Sequence, residues 1–165
     1  MSAAVLIVHV VAGSVGLLLG PVVMYLDTRR FAAGHRVAGR WTDAYILVVL
    51  VVCLTGSGLV VLDRPDLWWL VPVSALTFGL ATLARDAARR RYRGWSHGYV
   101  HGIGGSYIAQ VTALVVVWLV VNGPLRGGLE LLPWLLPTVL GTVLIEVWRR
   151  RLVRSVSVPD RAART

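Results

Sequence analysis
Residues 42–62 read TDAYILVVLVVCLTGSGLVVL. Behind an acid at position 43 the run stays apolar or small to its end, long enough to cross a hydrocarbon core that needs ~20 residues. Four further runs of similar character lie at about 3–26, 67–84, 99–121 and 129–148. Of the 165 residues 56% are hydrophobic and the mean hydropathy is +0.70, which excludes a water-soluble domain of ordinary composition. The expected fold is therefore all-α, an integral membrane bundle of five transmembrane helices forming one domain over residues 1–150. Residues 151–165 form a short basic tail, read as disordered.

Outside the apolar runs the basic residues are distributed unevenly. All 17 are arginine. Four lie in the first connection (Arg29, Arg30, Arg36, Arg40), five in the third (Arg85, Arg89, Arg90, Arg91, Arg93) and six from Arg149 onward. Arg64 and Arg126 alone fall in the second and fourth connections. This bias places the N-terminus outside and the C-terminus in the cytoplasm, in the cytoplasmic (inner) membrane. The net charge of +9 then reports topology and contact with anionic lipid headgroups. A nucleic-acid partner is not expected, because no soluble basic and aromatic module is present to hold a strand. The first run lacks the basic flank of a signal peptide and reads as a retained helix. Cys53 is the lone cysteine, so no internal disulfide forms.

Local features refine each run. His9, Gly13, Gly16 and Gly20 share one face of the first helix, and small residues there let another helix approach, within the chain or in a homo-oligomer. Pro21 is expected to kink that helix, and TGSG at 55–58 to break up the second. Trp68 and Trp69 suit a membrane interface. Asn122, Gly123 and Pro124 should end the fourth run. Thr138, Thr142 and Glu146 form a polar stripe on the fifth.

Ionisable groups gather at the arginine-rich end. His97 and His101, in WSHGYVHGIGG at residues 95–105, stand one helical turn apart, the spacing at which a helix offers two imidazoles to one metal. His35, with Glu146 or Asp43, could complete the set. Imidazole with carboxylate suits iron, favoured here, or zinc or manganese, with copper a further option, and an imidazole pair suits haem iron. Against this stand plainer roles. The histidine pair could meet lipid headgroups or relay protons, Glu146 could pair with Arg149 or Arg150, and Asp43 could cap the second helix or pair with Arg40. His9, Tyr107 and Gln110 are additional polar candidates, with interhelical hydrogen bonding as their commoner use.

Three stretches, HVVAGSVGLLLGP at 9–21, HRVAGRWTDAYILVVL at 35–50 and GGSYIAQVTALVVVWLVVNGP at 104–124, followed by LLPWLLPTVLGTVLI, resemble the DUF2306 family of small bacterial membrane proteins. The resemblance implies a compact helical bundle with His35 and one of the two later histidines at family-typical places, and it implies no chemistry. The expected function is a metal-dependent membrane oxidoreductase or oxygenase acting on a small or lipophilic substrate. In that reading His35, His97 and His101 are metal ligands, and Glu146 and Asp43 are catalytic. The rivals are a b-type haem electron carrier and a non-enzymatic transporter or accessory subunit.

Overall fold
The computed structural model describes residues 3–121, 123 and 127–154. Among these the chain is helical without strands. Helix α1 spans Ala3–Ala32, α2 Arg40–Asp63, α3 Leu70–Arg90, α4 Trp95–Val116 and α5 Leu132–Arg154. A 3-10 turn at Pro65–Leu67 leads into α3, a π-helical turn at Val117–Val121 extends α4, and a 3-10 turn at Gly127–Leu131 precedes α5. Four helical segments are long and apolar enough to cross a membrane. The exception is α3, whose apolar part stops at Arg85 and Asp86, short of ~20 residues.

Several boundaries differ from the sequence reading for identifiable reasons. The α2 helix runs unbroken through TGSG, where the Thr55 hydroxyl donates to Val51 O at 2.7 Å and so folds back onto its own helix. Pro21 lies inside an uninterrupted α1. The arginine-rich run after Ala84 continues α3 to Arg90 rather than forming a loop. The turn that follows uses left-handed backbone at Arg91 (φ 46°) and Gly94 (φ 84°), and glycine takes the second position without a Cβ penalty. The expected breakers Asn122 and Pro124, Arg126 and the tail from residue 155 lie outside the described residues.

Helices α1 to α4 form a ring in which each packs against the next and α1 meets α4, while α5 flanks α4 and touches α1. Small residues set the closest approach. At Gly102 of α4 a Cβ would stand 2.6 Å from Leu80 O of α3, and Ala81, Ala84, Ala87 and Ala88 of α3 are buried. The burial of α3 between its neighbours, rather than its hydropathy, makes it part of the bundle. Outward faces carry exposed Leu18, Leu62, Leu76 and Leu144, as expected of surfaces that meet lipid rather than water.

Candidate functional site: a cavity within the helix ring
Between the four helices, at the end that carries the α2–α3 turn, lies a cavity of about 500 Å³ that is partly open to the outside, with exposed Leu6, Val10 and Leu114 on its border. All four helices wall it, with His9 and Gly13 from α1, Cys53 and Gly56 from α2, Thr77 from α3 and Gln110 from α4. The volume falls in the range of small-molecule sites, and most of the wall is aliphatic. Gly13 leaves part of this space open: a Cβ built there meets nothing within 4 Å. Asp63 and Arg64 stand at its rim. Arg64 is committed outward, donating from Nε at 3.0 Å and Nη2 at 2.9 Å to the two oxygens of Asp66. That fork holds the exposed Asp66 carboxyl below its usual range.

One hydrogen-bond chain crosses the ring beside the cavity, and its polarity can be read from its end. Ser106 Oγ donates to Ile103 O at 2.9 Å, so it accepts from Tyr45 Oη, 3.1 Å away. With the Tyr45 proton spent, its oxygen accepts from Gln110 Nε2 at 3.0 Å. The orientation of the Gln110 amide follows, and Oε1 is left as a buried acceptor with no donor, resting against Gly16 of α1. At the α1–α2 wall, Thr55 has already donated to Val51 O, so it accepts from His9 Nδ1 at 3.0 Å. That contact ties His9 of α1 to α2.

The arginine-rich end is built differently. Asp27 of α1 is 1% exposed, and its Oδ2 accepts from Thr42 Oγ1 at 2.7 Å, Ala38 N at 3.3 Å and Tyr99 Oη. One carboxylate oxygen thus joins α1, the α1–α2 connection, α2 and α4. Trp148 Nε1 of α5 donates to Thr28 Oγ1 at 2.7 Å, tying the fifth helix to the same place.

The residues expected to form a metal layer are partly brought together. His97 and His101 stack with ring centroids 3.8 Å apart, and His101 Nδ1 lies 3.0 Å from His97 O. His35 is exposed on the α1–α2 connection, and among the described residues no three His, Cys, Asp or Glu side chains gather as a metal-binding group. Glu146 is held by Arg149 and Arg150 at 2.8 and 2.9 Å, the pairing role weighed from the sequence. Asp43 makes neither a cap nor a pair with Arg40. It faces Arg85 of α3, whose Nε lies 2.9 Å from Oδ1, a charge contact without hydrogen-bond alignment. His9 sits at the opposite end, on the cavity wall. Tyr107 packs against Gly20 and Gln110 against Gly16, so two of the three glycines expected to admit a helix do so, while Gly13 faces the cavity. The Thr138 and Thr142 stripe donates back to its own carbonyls and lines, with His101, a smaller groove of about 300 Å³ between α3, α4 and α5.

Asp27, Thr42, Tyr45, Tyr99 and Ser106 were not singled out from the sequence as site residues. A signal was present: Tyr99, Ile103, Ser106 and Gln110 fall at i, i+4, i+7 and i+11, a polar-bearing face of α4, and Thr42, Tyr45, Val49 and Cys53 form the matching face of α2. All eight are buried. No protein-family model, curated protein or solved structure matches the chain. The likeness to the DUF2306 family rests on the quoted stretches alone.

Proposed function
We propose that the chain is a five-span protein of the cytoplasmic membrane, N-terminus outside, that takes a small lipophilic molecule into the cavity walled by α1 to α4. The observation that carries this reading is the cavity itself, largely aliphatic and walled by all four helices, with Gln110 of the Gln110–Tyr45–Ser106 chain on its border. The arginine distribution supports the orientation, which opens the cavity toward the outer leaflet. Burial of α3 between α2 and α4 supports its role as the fifth span despite its arginine-rich end.

Cys53, the sole cysteine, lines the cavity and serves as a native reporter. In nanodiscs, octylbenzene should slow alkylation of Cys53 by a membrane-permeant maleimide in a saturable way. Gly13→Leu should fill the space and abolish that protection. Protection that rises linearly without saturation, equally in both proteins, would overturn the reading.

Redox chemistry at a metal is a second reading, favoured by the His97–His101 stack. A His101 ring donating from Nδ1 to the His97 carbonyl presents an unprotonated Nε2, the form that binds metals. Its third ligand would have to come from outside the groups the described residues bring together. Elemental analysis and a visible spectrum of the purified protein, beside a His97→Ala, His101→Ala double variant, test it. A stoichiometric metal or a haem band lost in the variant supports it, and equal metal content in the two proteins refutes it.

A further inference from the structure
The cavity has a floor, an open side and a length. Its floor lies where α1 and α4 come together, with Gln110 packed on Gly16 and, one turn further in, Tyr107 on Gly20. From that contact toward the α2–α3 turn a gap separates the two helices. The wall residues left exposed there are Leu6, Val10 and Ser14 of α1 and Leu114 of α4, whereas Cys53 and Val60 of α2 and Thr77 of α3, on the far wall, are buried. The open side is therefore a slot between α1 and α4, continuous with the exposed apolar surface of Ile7, Val11 and Trp118. Leu6 and Leu17, the first and last wall residues of α1, are eleven positions apart, as are Val52 and Asp63 of α2. The cavity thus runs roughly 16 Å along the helices. The hydrocarbon of one bilayer leaflet is about 15 Å deep.

We infer that the occupant is one acyl chain of an outer-leaflet phospholipid, which enters sideways through the slot between α1 and α4 while its headgroup stays at the interface. This rests on the cavity being a ligand site and adds which molecule fills it and by which route. The dimensions agree: Asp63 and Arg64 mark the end of the cavity at the membrane surface, and its floor lies level with Val52, at the middle of the 24-residue α2. In the orientation proposed above, the cavity spans one leaflet from interface to midplane. A slot along its length admits a chain that remains attached to its headgroup, which a closed pocket would not. Ser14 and Thr77 turn their hydroxyls to Val10 O and Val73 O of their own helices, so much of the wall meets a guest with carbon. An unfilled wall forfeits dispersion contacts. The chain, present as the solvent itself, needs only a weak preference to keep the site occupied.

The test places the protein in nanodiscs of a phosphatidylcholine that carries a diazirine at the end of one chain, and maps the adducts by mass spectrometry after photolysis. Cys53 and Leu54 are neighbours on α2, the first buried on the cavity wall and the second 64% exposed on the outward face. The ratio of their adducts therefore separates a chain inside the cavity from chains around the protein. Wild-type protein should carry adducts at both positions. Gly13→Leu, which fills the cavity, and Leu114→Trp, which narrows the slot from an exposed position on another helix, should each lower the Cys53-to-Leu54 ratio about tenfold. A folding failure in one variant leaves the other decisive. Adducts on Leu54 and none on Cys53, with octylbenzene still protecting Cys53 saturably, would overturn the phospholipid while leaving the ligand cavity standing. No adduct on Cys53 and no saturable protection would overturn both. A ratio lowered by Gly13→Leu and unchanged in a folded Leu114→Trp protein would keep the occupant and overturn the route, and a ratio unchanged in both variants would overturn occupation of this cavity.

Discussion

The two ends of the same helix ring handle polar groups in opposite ways. At the arginine-rich end, Asp27 gathers Thr42, Tyr99 and the Ala38 amide onto one oxygen, and Val23, Ala84, Ala87, Val100 and Ile103 are fully buried in the core cluster. At the α2–α3 end the four helices stand apart around about 500 Å³, and an acceptor on Gln110 has no donor. Around Asp27 the polar groups satisfy one another, whereas at the other end the Gln110 amide keeps an oxygen with no donor. Satisfied buried polar groups fix helices against one another, whereas open space walled mostly by aliphatic side chains is suited to a guest.

If that contrast is sound, damage to the closed end should cost far more than damage to the open one. The largest effect is expected for Asp27→Ala, which strands three donors at once. A loss of about 3 kcal/mol or more follows, read as a lower unfolding midpoint in detergent, with Tyr99→Phe costing roughly half as much. An Asp27→Ala protein that melts with the wild type would show that the clasp does not hold the ring.

A matched pair of glycines sharpens the comparison. Gly102→Ala drives a methyl to 2.6 Å from Leu80 O and should cost about 1–3 kcal/mol. Gly13→Ala meets open space within a helix and should be neutral or stabilising by up to about 1 kcal/mol. Equal melting shifts for the two would erase the distinction between a tight and a loose end.

Gln110→Leu should change stability by no more than about 1 kcal/mol, because it removes an orphaned acceptor together with one hydrogen bond. A loss as large as that of Asp27→Ala would make Gln110 a structural residue.

The smallest expected effect is at the rim. Arg64 lowers the Asp66 carboxyl, so whatever this pair contributes is present above the usual carboxylate range and fades as pH falls through the depressed value. Both groups are solvent-exposed, so Asp66→Asn should leave the midpoint at neutral pH unchanged while flattening its response to acid. A neutral-pH loss in that variant would mean the rim is part of the closed structure.

Much of the architecture was legible in the chain itself. Apolar runs bounded by arginine clusters specified helices, four of them long and apolar enough to cross a membrane, because backbone polar groups in lipid must be satisfied within each segment. Gly16 and Gly20 announced a close helix neighbour, since only small residues permit that approach. Glu146 beside Arg149 and Arg150 announced an ion pair, because those spacings face one another on a helix. What the sequence could not supply was which faces meet across the ring. His35, His97, His101 and Glu146 share a level in the sequence, yet nothing along one helix says whether residues on separate helices turn toward one another. Asp27 and Tyr99, 72 positions apart, become partners only because α1 and α4 close the ring. The cavity, likewise, is a property of no segment: it arises where side chains of four helices fail to fill a common space, and volume left unfilled is decided by tertiary packing alone.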